Sequence, residues 1–485
     1  MSQAQANGGS FDAIVIGGGP GGYVCAIRLG QLGKRVALVE REKLGGVCLN
    51  VGCIPSKALI YASKLVKQAR GAGVMGITAD VNVDVQKLQQ WKQRVVDRLT
   101  SGVALLCKAN NVQTFFGNAR IEAEGQVLVS GSDGNKTLLC KDIVIATGSR
   151  SIELPNARFD GRRIVSSTEA LSLETPPKKM LIVGGGVIGL EIGMAYANLF
   201  GTELTIVELL DQLLPGVDLE LVSLVTRNLQ KLNAKIYLKS KVTAVSSSAT
   251  AARIEFQSED GNKRSVDVDY VLVSVGRRPN SGDLGLEKLG VKLDPKGFVI
   301  VDKQMRTSSP SIYAIGDVVG GPLLAHKASR EGIVAAEVIS GLKSSFDNVA
   351  MPSAIFTDPE IAIVGLSPSE ARSKGIEFRE GKFPFSANGR ALASLESEGF
   401  AKVIVEEGSG LLLGVEVVGG EASDLISEGS LALEMGATAE DIALTIHPHP
   451  TLPEAIMEAT ENSLGRAIHI QNKNRPGSSS QRVSA

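Results

Sequence analysis

The sequence predicts an α/β protein with two Rossmann-like dinucleotide-binding domains and a C-terminal α+β dimerisation domain. A buried strand runs into a glycine-rich turn and then an apolar helix twice, at Gly17–Gly22 and Gly184–Gly189. The last third has no such turn and alternates β-rich segments with helices. The 54 glycines and 43% hydrophobic content suit the many tight strand-to-helix turns of this class.

Composition favours small-molecule chemistry. The 51 basic and 52 acidic residues leave a net charge of −1, so the chain lacks the basic surface of a nucleic-acid or anionic-membrane binder. It has no uncharged apolar run of 18 residues, and its first ten residues have neither a basic region nor an apolar core. We therefore expect a cytoplasmic protein with a flexible N-terminus at 1–10.

The first dinucleotide unit begins at Phe11. Gly17, Gly19 and Gly22 fit the G-x-G-x-x-G pattern, in which the glycines permit a tight turn, approach of a pyrophosphate, and helix packing on the strand. The next strand ends at Glu40, 23 residues after Gly17, where its carboxylate can accept a hydrogen bond from a ribose hydroxyl.

Further elements complete this unit. Helices are predicted over about 54–69 and 85–108, and strands at 112–117, which ends in Gly117, and at 126–129. The apolar run 142–146 predicts a buried strand that closes in a Thr147–Gly148 turn, the place where a doubly wound sheet meets its ligand. The unit is expected to end near residue 153.

The second unit repeats the pattern with Gly184, Gly186 and Gly189, and Glu208 stands 24 residues after Gly184. Two patterns imply two dinucleotides. No Arg or Lys follows Glu208 in the next four residues, although a 2′-phosphate would need a cation. The second ligand is therefore expected to be NAD rather than NADP.

Two later strand ends carry candidate ligand contacts. The strand from Tyr270 ends in a turn at Gly276, and the strand from Ser311 ends in Gly316–Asp317, whose carboxylate can reach the polyol chain of a nucleotide. The following region has the composition of an interface domain. The predicted segments are 1–10 flexible, 11–153 and 154–280 dinucleotide-binding, 281–350 central, 351–470 interface, and 471–485 a disordered tail.

Cys48 and Cys53 have the spacing of a redox pair. A five-residue step along a regular helix separates Cα atoms by roughly 7.5 Å, beyond the reach of a disulfide, so the helix entry must be distorted. Gly52 permits that distortion, and a helix N-terminus stabilises a thiolate. Cys25, Cys107 and Cys140 lie in apolar contexts and are expected to pack in the core.

Two of the four histidines, His447 and His449, lie in a proline-rich stretch that ends at Glu454. An imidazole beside a carboxylate suits a general acid/base, because the acid fixes the tautomer and raises the basicity of the ring. A metal site would need further ligands, and none is expected.

Together these motifs resemble the pyridine nucleotide-disulfide oxidoreductases. The resemblance rests on Gly17–Gly22, the cysteine stretch ending in Ile-Pro-Ser-Lys at Lys57, Gly184–Gly189 with Glu191, Asp317, and His449-Pro-Thr-x-x-Glu454, and it covers about residues 10 to 470.

The resemblance implies FAD in the first unit, 11–153, NAD in the second, 154–280, and a central domain, 281–350, that completes the FAD site. It also implies a homodimer in which the C-terminal interface and dimerisation domain, 351–470, completes the partner's site. Cys48 then resembles the thiol that exchanges with a dithiol substrate, Cys53 the thiolate against the flavin, and His449 the base oriented by Glu454. Lys57 and Glu191 resemble an ion pair near the nicotinamide. The implied FAD residues are Gly17, Gly19, Gly22, Glu40, Lys57, Gly117, Thr147, Gly148, Asp317 and Ala325, and the NAD residues are Gly184, Gly186, Gly189, Glu191, Glu208 and Gly276.

The resemblance also implies protein partners, namely the lipoyl domains of 2-oxo acid dehydrogenase complexes or the H protein of glycine cleavage. Three positions depart from the family pattern. Val47 replaces the usual Thr, and Pro448 and Pro453 replace the more common Ala and Ser. We expect these changes to alter the polarity around the flavin or the rigidity of the loop, and to leave the reacting groups in place.

Other functions fit the sequence less well. Glutathione reductase would want cations after Glu208 for NADP, and mercuric reductase would want a C-terminal cysteine pair, whereas no Cys follows Cys140. A non-catalytic flavoprotein subunit would not need Cys48, Cys53 and His449.

Overall fold

The computed structural model describes residues 10–132 and 134–472. The predicted flexible N-terminus and disordered tail therefore lie almost wholly outside the described residues. At their inner edges, Ser10 already belongs to the first strand, and the Asn472 side chain hydrogen-bonds both the N–H and the carbonyl oxygen of Ala467 at 3.0 and 2.8 Å.

The chain forms strands throughout its described length. In chain order they are β1 (Ser10–Ile16), β2 (Val36–Glu40), β3 (Val112–Phe116), β4 (Asn118–Ala123), β5 (Gln126–Gly131), β6 (Gly134–Ile145), β7 (Ser149–Ser151), β8 (Ile164–Val165), β9 (Lys179–Val183), β10 (Glu203–Val207), β11 (Lys235–Tyr237), β12 (Lys241–Ser247), β13 (Ala252–Gln257), β14 (Lys263–Val268), β15 (Tyr270–Val273), β16 (Arg277–Pro279), β17 (Ile312–Ala314), β18 (Ser353–Ile355), β19 (Glu360–Gly365), β20 (Phe378–Pro384), β21 (Phe400–Glu406) and β22 (Leu412–Gly419).

Helices alternate with these strands, as the α/β prediction requires. They are α1 (Pro20–Gln31), α2 (Gly46–Val51), α3 (Cys53–Gly71), α4 (Val85–Ala109), α5 (Ser167–Ala170), α6 (Val187–Phe200), α7 (Leu219–Lys231), α8 (Ala325–Ile339), α9 (Pro368–Ser373), α10 (Gly389–Ala393), α11 (Ala422–Glu434), α12 (Ala439–Ala443) and α13 (Glu454–Ser463). Among the residues described, no helix combines the length and apolarity needed to cross a bilayer.

The chain divides into two compact units. The first comprises the residues up to Gly184, Ala195–Thr202 and Lys241–Asp347. The second comprises Gly185–Met194, Glu203–Ser240 and the residues from Asn348 onward. This partition does not test the four-part division predicted from the sequence, which stays a prediction.

The first unit is built on a doubly wound sheet. Parallel strands stand in the order β3-β2-β1-β6-β17, and β5 and β4 extend the sheet as antiparallel strands beyond β6. Along β1, Ala13 and Val15 join one buried cluster while Ile14 and Ile16 join another on the opposite face. Both faces are covered, which is why the strand is continuously apolar from Ala13 to Ile16.

Smaller sheets complete the two units. In the first, β9, β15 and β8 are parallel, β12-β13-β14 form an antiparallel meander, and β7 pairs with β16. In the second, β10 and β11 are parallel, and a five-stranded antiparallel sheet has the order β18-β19-β22-β21-β20. α11 and α13 contribute to the core of that sheet through residues such as Leu425 and Ile456. The predicted α/β fold class is confirmed.

Candidate active site

The two cysteines of the predicted redox pair, Cys48 and Cys53, flank a break in a helix. α2 ends at Val51, Gly52 has φ −141° and ψ −111°, and α3 begins at Cys53. This kink brings the Cys48 and Cys53 side chains into hydrogen-bond contact, and they are not joined by a disulfide in the structure. A Cβ on residue 52 would lie 2.8 Å from the Val47 carbonyl oxygen, so the kink needs glycine. The predicted distortion is confirmed.

The two thiols differ in their electrostatics. The hydrogen bond with Cys53 and then burial raise the pKa of the Cys48 thiol well above its ordinary value, while Lys57 acts in the opposite direction. Cys48 is half-buried against the core, whereas Cys53 is exposed in the first turn of α3. At the start of α3, Cys53 lies where the partial positive charge of the helix N-terminus favours a thiolate.

The first glycine turn leaves room for a phosphate. Gly17 has φ +106°, and a Cβ on residue 22 would lie 1.8 Å from the Gly17 carbonyl oxygen. At Gly19 the nearest atom to an added Cβ is 4.0 Å away. The space in front of the α1 N-terminus is thus open where the pyrophosphate of a dinucleotide binds.

The glycine turn is tied to the redox stretch. The Gly45 N–H donates to the Gly18 carbonyl oxygen at 2.8 Å, and a Cβ on Gly46 would lie 2.7 Å from the Gly19 Cα. Gly45 and Gly46 have φ of +91° and +55°. Sequence reasoning did not assign a role to these two glycines. The available signal was the pair of adjacent glycines just before Cys48. Their contacts place the start of α2 directly against the first glycine turn.

The other predicted FAD residues of the first unit lie at strand ends or helix starts. Gly117 has φ +155° and donates its N–H to the Glu40 carbonyl oxygen at 2.9 Å. The Thr147 hydroxyl donates to the Asn280 carbonyl oxygen at 2.7 Å, and the Gly148 carbonyl oxygen accepts from the Asn280 N–H at 2.9 Å. Ala325 is the first residue of α8.

A network that sequence analysis missed fixes Asp317. The Arg277 guanidinium donates to both the hydroxyl and the carbonyl oxygen of Ser149, at 2.7 and 2.8 Å. The Ser149 hydroxyl in turn donates to the Asp317 carboxylate at 2.5 Å. Arg277 and Ser149 lie on the paired strands β16 and β7, so only tertiary pairing brings them to Asp317.

The second glycine turn repeats the first. Gly184 has φ +97°, and the position of a Cβ on Gly186 is open. Within the second unit, Glu208 is buried and its carboxylate accepts from the N–H groups of Gly185 and Leu210 at 2.6 and 2.8 Å. Glu40 does the same with Gly18 at 2.7 Å in the first unit.

The remaining predicted NAD residues are placed as follows. Gly189 and Glu191 lie on α6, and Gly276, with φ +120°, stands between β15 and β16. The Glu191 carboxylate is buried and accepts from the Phe356 N–H at 2.8 Å. The predicted ion pair between Lys57 and Glu191 stays a prediction.

His449 forms the predicted pair with Glu454. Nδ1 of His449 lies 2.8 Å from Glu454 Oε1, and the other carboxylate oxygen accepts from the Thr451 N–H at 2.7 Å. Burial acts to raise the pKa of Glu454, but the Thr451 N–H and His449 outweigh it and leave that pKa lowered. The His449 side chain is 78% exposed, so its other nitrogen is presented to solvent. No cluster of metal-ligating side chains occurs in residues 10–132 and 134–472.

Comparison with known proteins agrees with this arrangement. Residues 11–332 match the family described as pyridine nucleotide-disulphide oxidoreductase, and residues 351–460 match its dimerisation domain. The chain is 50% identical over 461 residues to a dihydrolipoyl dehydrogenase of Bacillus subtilis, with 95% of this chain and 97% of that protein covered. It is 48% identical over 463 residues to that of Geobacillus stearothermophilus, with 95% and 98% covered.

Solved structures agree as well. LpdA from Mycobacterium tuberculosis superposes with a TM-score of 0.86 at 26% identity, covering 93% of this chain and 99% of that one. The HOCl-induced flavoprotein disulfide reductase RclA from Escherichia coli has a TM-score of 0.82 at 26% identity, with 93% and 99% covered.

The family matches span both halves of the chain, and the glycine turns fit two dinucleotides, FAD and NAD. The chain therefore belongs to the pyridine nucleotide-disulphide oxidoreductase family.

Proposed function

We propose that this chain is a dihydrolipoyl dehydrogenase, which oxidises protein-bound dihydrolipoamide to lipoamide and reduces NAD+. Its relatives at 44–50% identity carry that name. The observation that carries the proposal is the Cys48–Cys53 pair at the kinked entry of α3, with one half-buried thiol of raised pKa and one exposed thiol at a helix N-terminus.

The proposed chemistry starts from the oxidised cysteine pair. His449 takes the proton of one substrate thiol, and the resulting thiolate attacks Cys48, forming a mixed disulfide while Cys53 leaves as a thiolate. The second substrate thiol then attacks the substrate sulfur of the mixed disulfide. Cyclic lipoamide leaves, and Cys48 departs and takes up a proton. Two electrons now reside on the cysteine pair.

The cofactors supply the remaining transfer. FAD bound in the first unit would supply the two-electron transfer that links the cysteine pair to NAD+. We assign the open turn at Gly19 and the buried Glu40 to FAD, and the turn at Gly186 with the buried Glu208 to NAD. Glu208 suits the unphosphorylated ribose because a carboxylate accepts from hydroxyls and repels a phosphate.

The match to the dimerisation domain supports a homodimer. We propose that the dimer serves lipoyl domains of 2-oxo acid dehydrogenase complexes or the glycine cleavage H protein, and that it does so in the cytoplasm. The division into FAD-binding, NAD-binding, central and interface domains is proposed in the same way.

The test is reduction of NAD+ by dihydrolipoamide with the purified holoenzyme. Wild type should be active, and Cys48→Ser and Cys53→Ser should each lose at least about 1,000-fold, the scale of loss when a covalent nucleophile is removed. Cys140→Ser is the matched control, since Cys140 is half-buried beside the core and belongs to no pair, and it should keep its activity. Equal activity in all variants would refute the proposal.

A further inference from the structure

Asn388 is a buried polar residue that the proposed mechanism does not use. It precedes α10, and it is only 4% exposed. Its side-chain oxygen accepts the Ala391 N–H at 3.0 Å, which caps the helix, and its side-chain nitrogen donates to the Thr451 carbonyl oxygen at 2.9 Å. One side chain therefore joins the start of α10 to a residue 63 positions later in the chain.

Thr451 organises the segment that carries the proposed base. Its N–H donates to one carboxylate oxygen of Glu454 at 2.7 Å, and its hydroxyl donates to the Pro448 carbonyl oxygen at 2.7 Å. The other carboxylate oxygen of Glu454 lies 2.8 Å from Nδ1 of His449. The N–H and hydroxyl of Thr451 thus act within the segment, while its carbonyl oxygen is held from outside by Asn388.

The position of the His449 ring depends on such hydrogen bonds. The His449 side chain is 78% exposed, so packing against neighbours does little to fix it. The segment also contains Pro448, Pro450 and Pro453, which have no backbone N–H to donate. A contact that anchors Thr451 to a buried side chain therefore restrains the ring through Glu454.

The two partners of Asn388 need different groups on its side chain. The Ala391 N–H needs an acceptor, which Asp or Asn supplies equally well at the position before a helix. The Thr451 carbonyl oxygen can only accept, so it needs a donor. An amide meets both needs, whereas a carboxylate would meet only the first.

We propose that Asn388 is a positioning residue for the proposed base, and that its amide donor, acting through Thr451 and Glu454, sets the position of the His449 imidazole. The inference rests on the proposed role of His449. It assigns the effect on the reaction to the donor of Asn388 and not to the helix cap.

Hydrogen exchange of the holoenzyme, followed by mass spectrometry, tests the contact itself. Asn388→Asp keeps the cap of α10 and lacks the donor, so exchange of the segment 446–456 should become about tenfold faster while exchange of α10 stays as in wild type. Ser367→Ala, which removes the corresponding cap of α9, is the control and should leave the segment 446–456 unchanged. Unchanged exchange of this segment in Asn388→Asp would overturn the proposal, whether or not the enzyme oxidises dihydrolipoamide.

Kinetics test the consequence for the base. Asn388→Asp should lower kcat/KM for dihydrolipoamide by at least about tenfold, because the base is misplaced. Oxidation of NADH by ferricyanide, which takes electrons from FAD and needs no base, should stay at the wild-type rate. A fall of both activities together would overturn the proposal, since it would show a general structural defect.

A double-variant cycle tests whether Asn388 acts through His449. In the His449→Gln background, Asn388→Asp should lower kcat/KM for dihydrolipoamide by less than about twofold, because the positioned group is already absent. An equal loss in both backgrounds would overturn the proposal. Wild-type activity of His449→Gln alone would refute the proposed base, and with it this inference.

Discussion

The Glu208 carboxylate accepts the Gly185 N–H at 2.6 Å, and this contact has a counterpart in the Glu40 carboxylate, which accepts the Gly18 N–H at 2.7 Å. In each unit the acid at the end of the second strand is anchored to the glycine turn that precedes the helix. We expect both anchored carboxylates to accept hydrogen bonds from the ribose hydroxyls of a bound dinucleotide.

The first prediction concerns the choice of NAD+. Because Glu208 is buried and would face a 2′-phosphate, kcat/KM for NAD+ should exceed that for NADP+ by at least about 100-fold, equivalent to roughly 3 kcal/mol. Side-by-side kinetics check this. Asp211→Asn, a change at an exposed acid nearby, should keep the ratio. Comparable values for the two nucleotides in wild type would contradict the assignment.

The second prediction concerns Cys53. Its position in the first turn of α3, and the raised pKa of Cys48, make Cys53 the thiolate of the reduced pair. Two-electron reduction of the holoenzyme should give a long-wavelength absorption band from this thiolate beside FAD. Cys53→Ser should lack the band, whereas Cys48→Ser, which has no disulfide to reduce, should show it before any reductant is added, while FAD is still oxidised. The opposite pattern would show that the two sulfurs have exchanged roles.

The third prediction concerns stability in the second unit. Lys402 Nζ lies 3.0, 2.9 and 3.1 Å from carboxylate oxygens of Asp218, Glu220 and Glu416, and burial raises the pKa of Glu416 to about 7. The folded state therefore binds the Glu416 proton more tightly than the unfolded state does. As a result, the contribution of Glu416 to the free energy of unfolding falls by about 3 kcal/mol at most as pH rises from about 4.5 to about 7.

Glu416→Gln removes this titration and leaves Lys402 its two other carboxylates. The Tm of the variant relative to wild type should rise between pH 5 and pH 8, as measured by thermal unfolding of the holoenzyme at matched salt. Glu407→Gln, at an exposed acid on the turn between β21 and β22, is the control and should show a constant difference. A constant difference for Glu416→Gln as well would contradict the buried titration.

Local patterns predicted the turns, strand ends and helix kink on which the candidate site residues lie. The glycine turns, Glu40, Glu208 and the kink at Gly52 follow from residues within about two dozen positions of one another, where backbone geometry leaves few options. α3 and α4 were also predicted to within a few residues of Cys53–Gly71 and Val85–Ala109, because their apolar spacing is strongly helical.

Long-range contacts were not predictable in the same way. Ser149 meets Asp317 from 168 positions away, and Lys402 meets Asp218 from 184 positions away, so neither contact leaves a local signal. The meander β12-β13-β14 was missed although β13 alternates buried and exposed residues. β12 and β14 are largely exposed, and exposed strands carry a weak apolar pattern.

The fourth prediction is that each active site is shared between two chains. The family resemblance and the exposed imidazole of His449 motivate it, since a base must come within about 3 Å of the thiol that it deprotonates. Cys48→Ser and His449→Gln should each be nearly inactive alone. When the two variants are co-expressed, half of the dimers are mixed. If each site takes its cysteines from one chain and its histidine from the other, half of the sites in those mixed dimers are intact, so about a quarter of wild-type activity should return.

The matched control for that experiment is co-expression of Cys48→Ser with Cys53→Ser. These two residues lie on the same kinked helix, so no mixed dimer of this pair contains an intact site. Activity no greater than the sum of the single variants, in a sample shown to contain mixed dimers of Cys48→Ser and His449→Gln, would contradict the shared site.

The most direct measurement follows the electrons through the cysteine pair without turnover. Oxidised holoenzyme is mixed anaerobically with one equivalent of dihydrolipoamide per site, freed of lipoamide, and then mixed with NAD+. Wild type should form close to one NADH per site in the second step, and Cys48→Ser should form none. Absence of NADH from the wild type, or equal formation by Cys48→Ser, would contradict the claim that Cys48 and Cys53 carry electrons from the dithiol to NAD+.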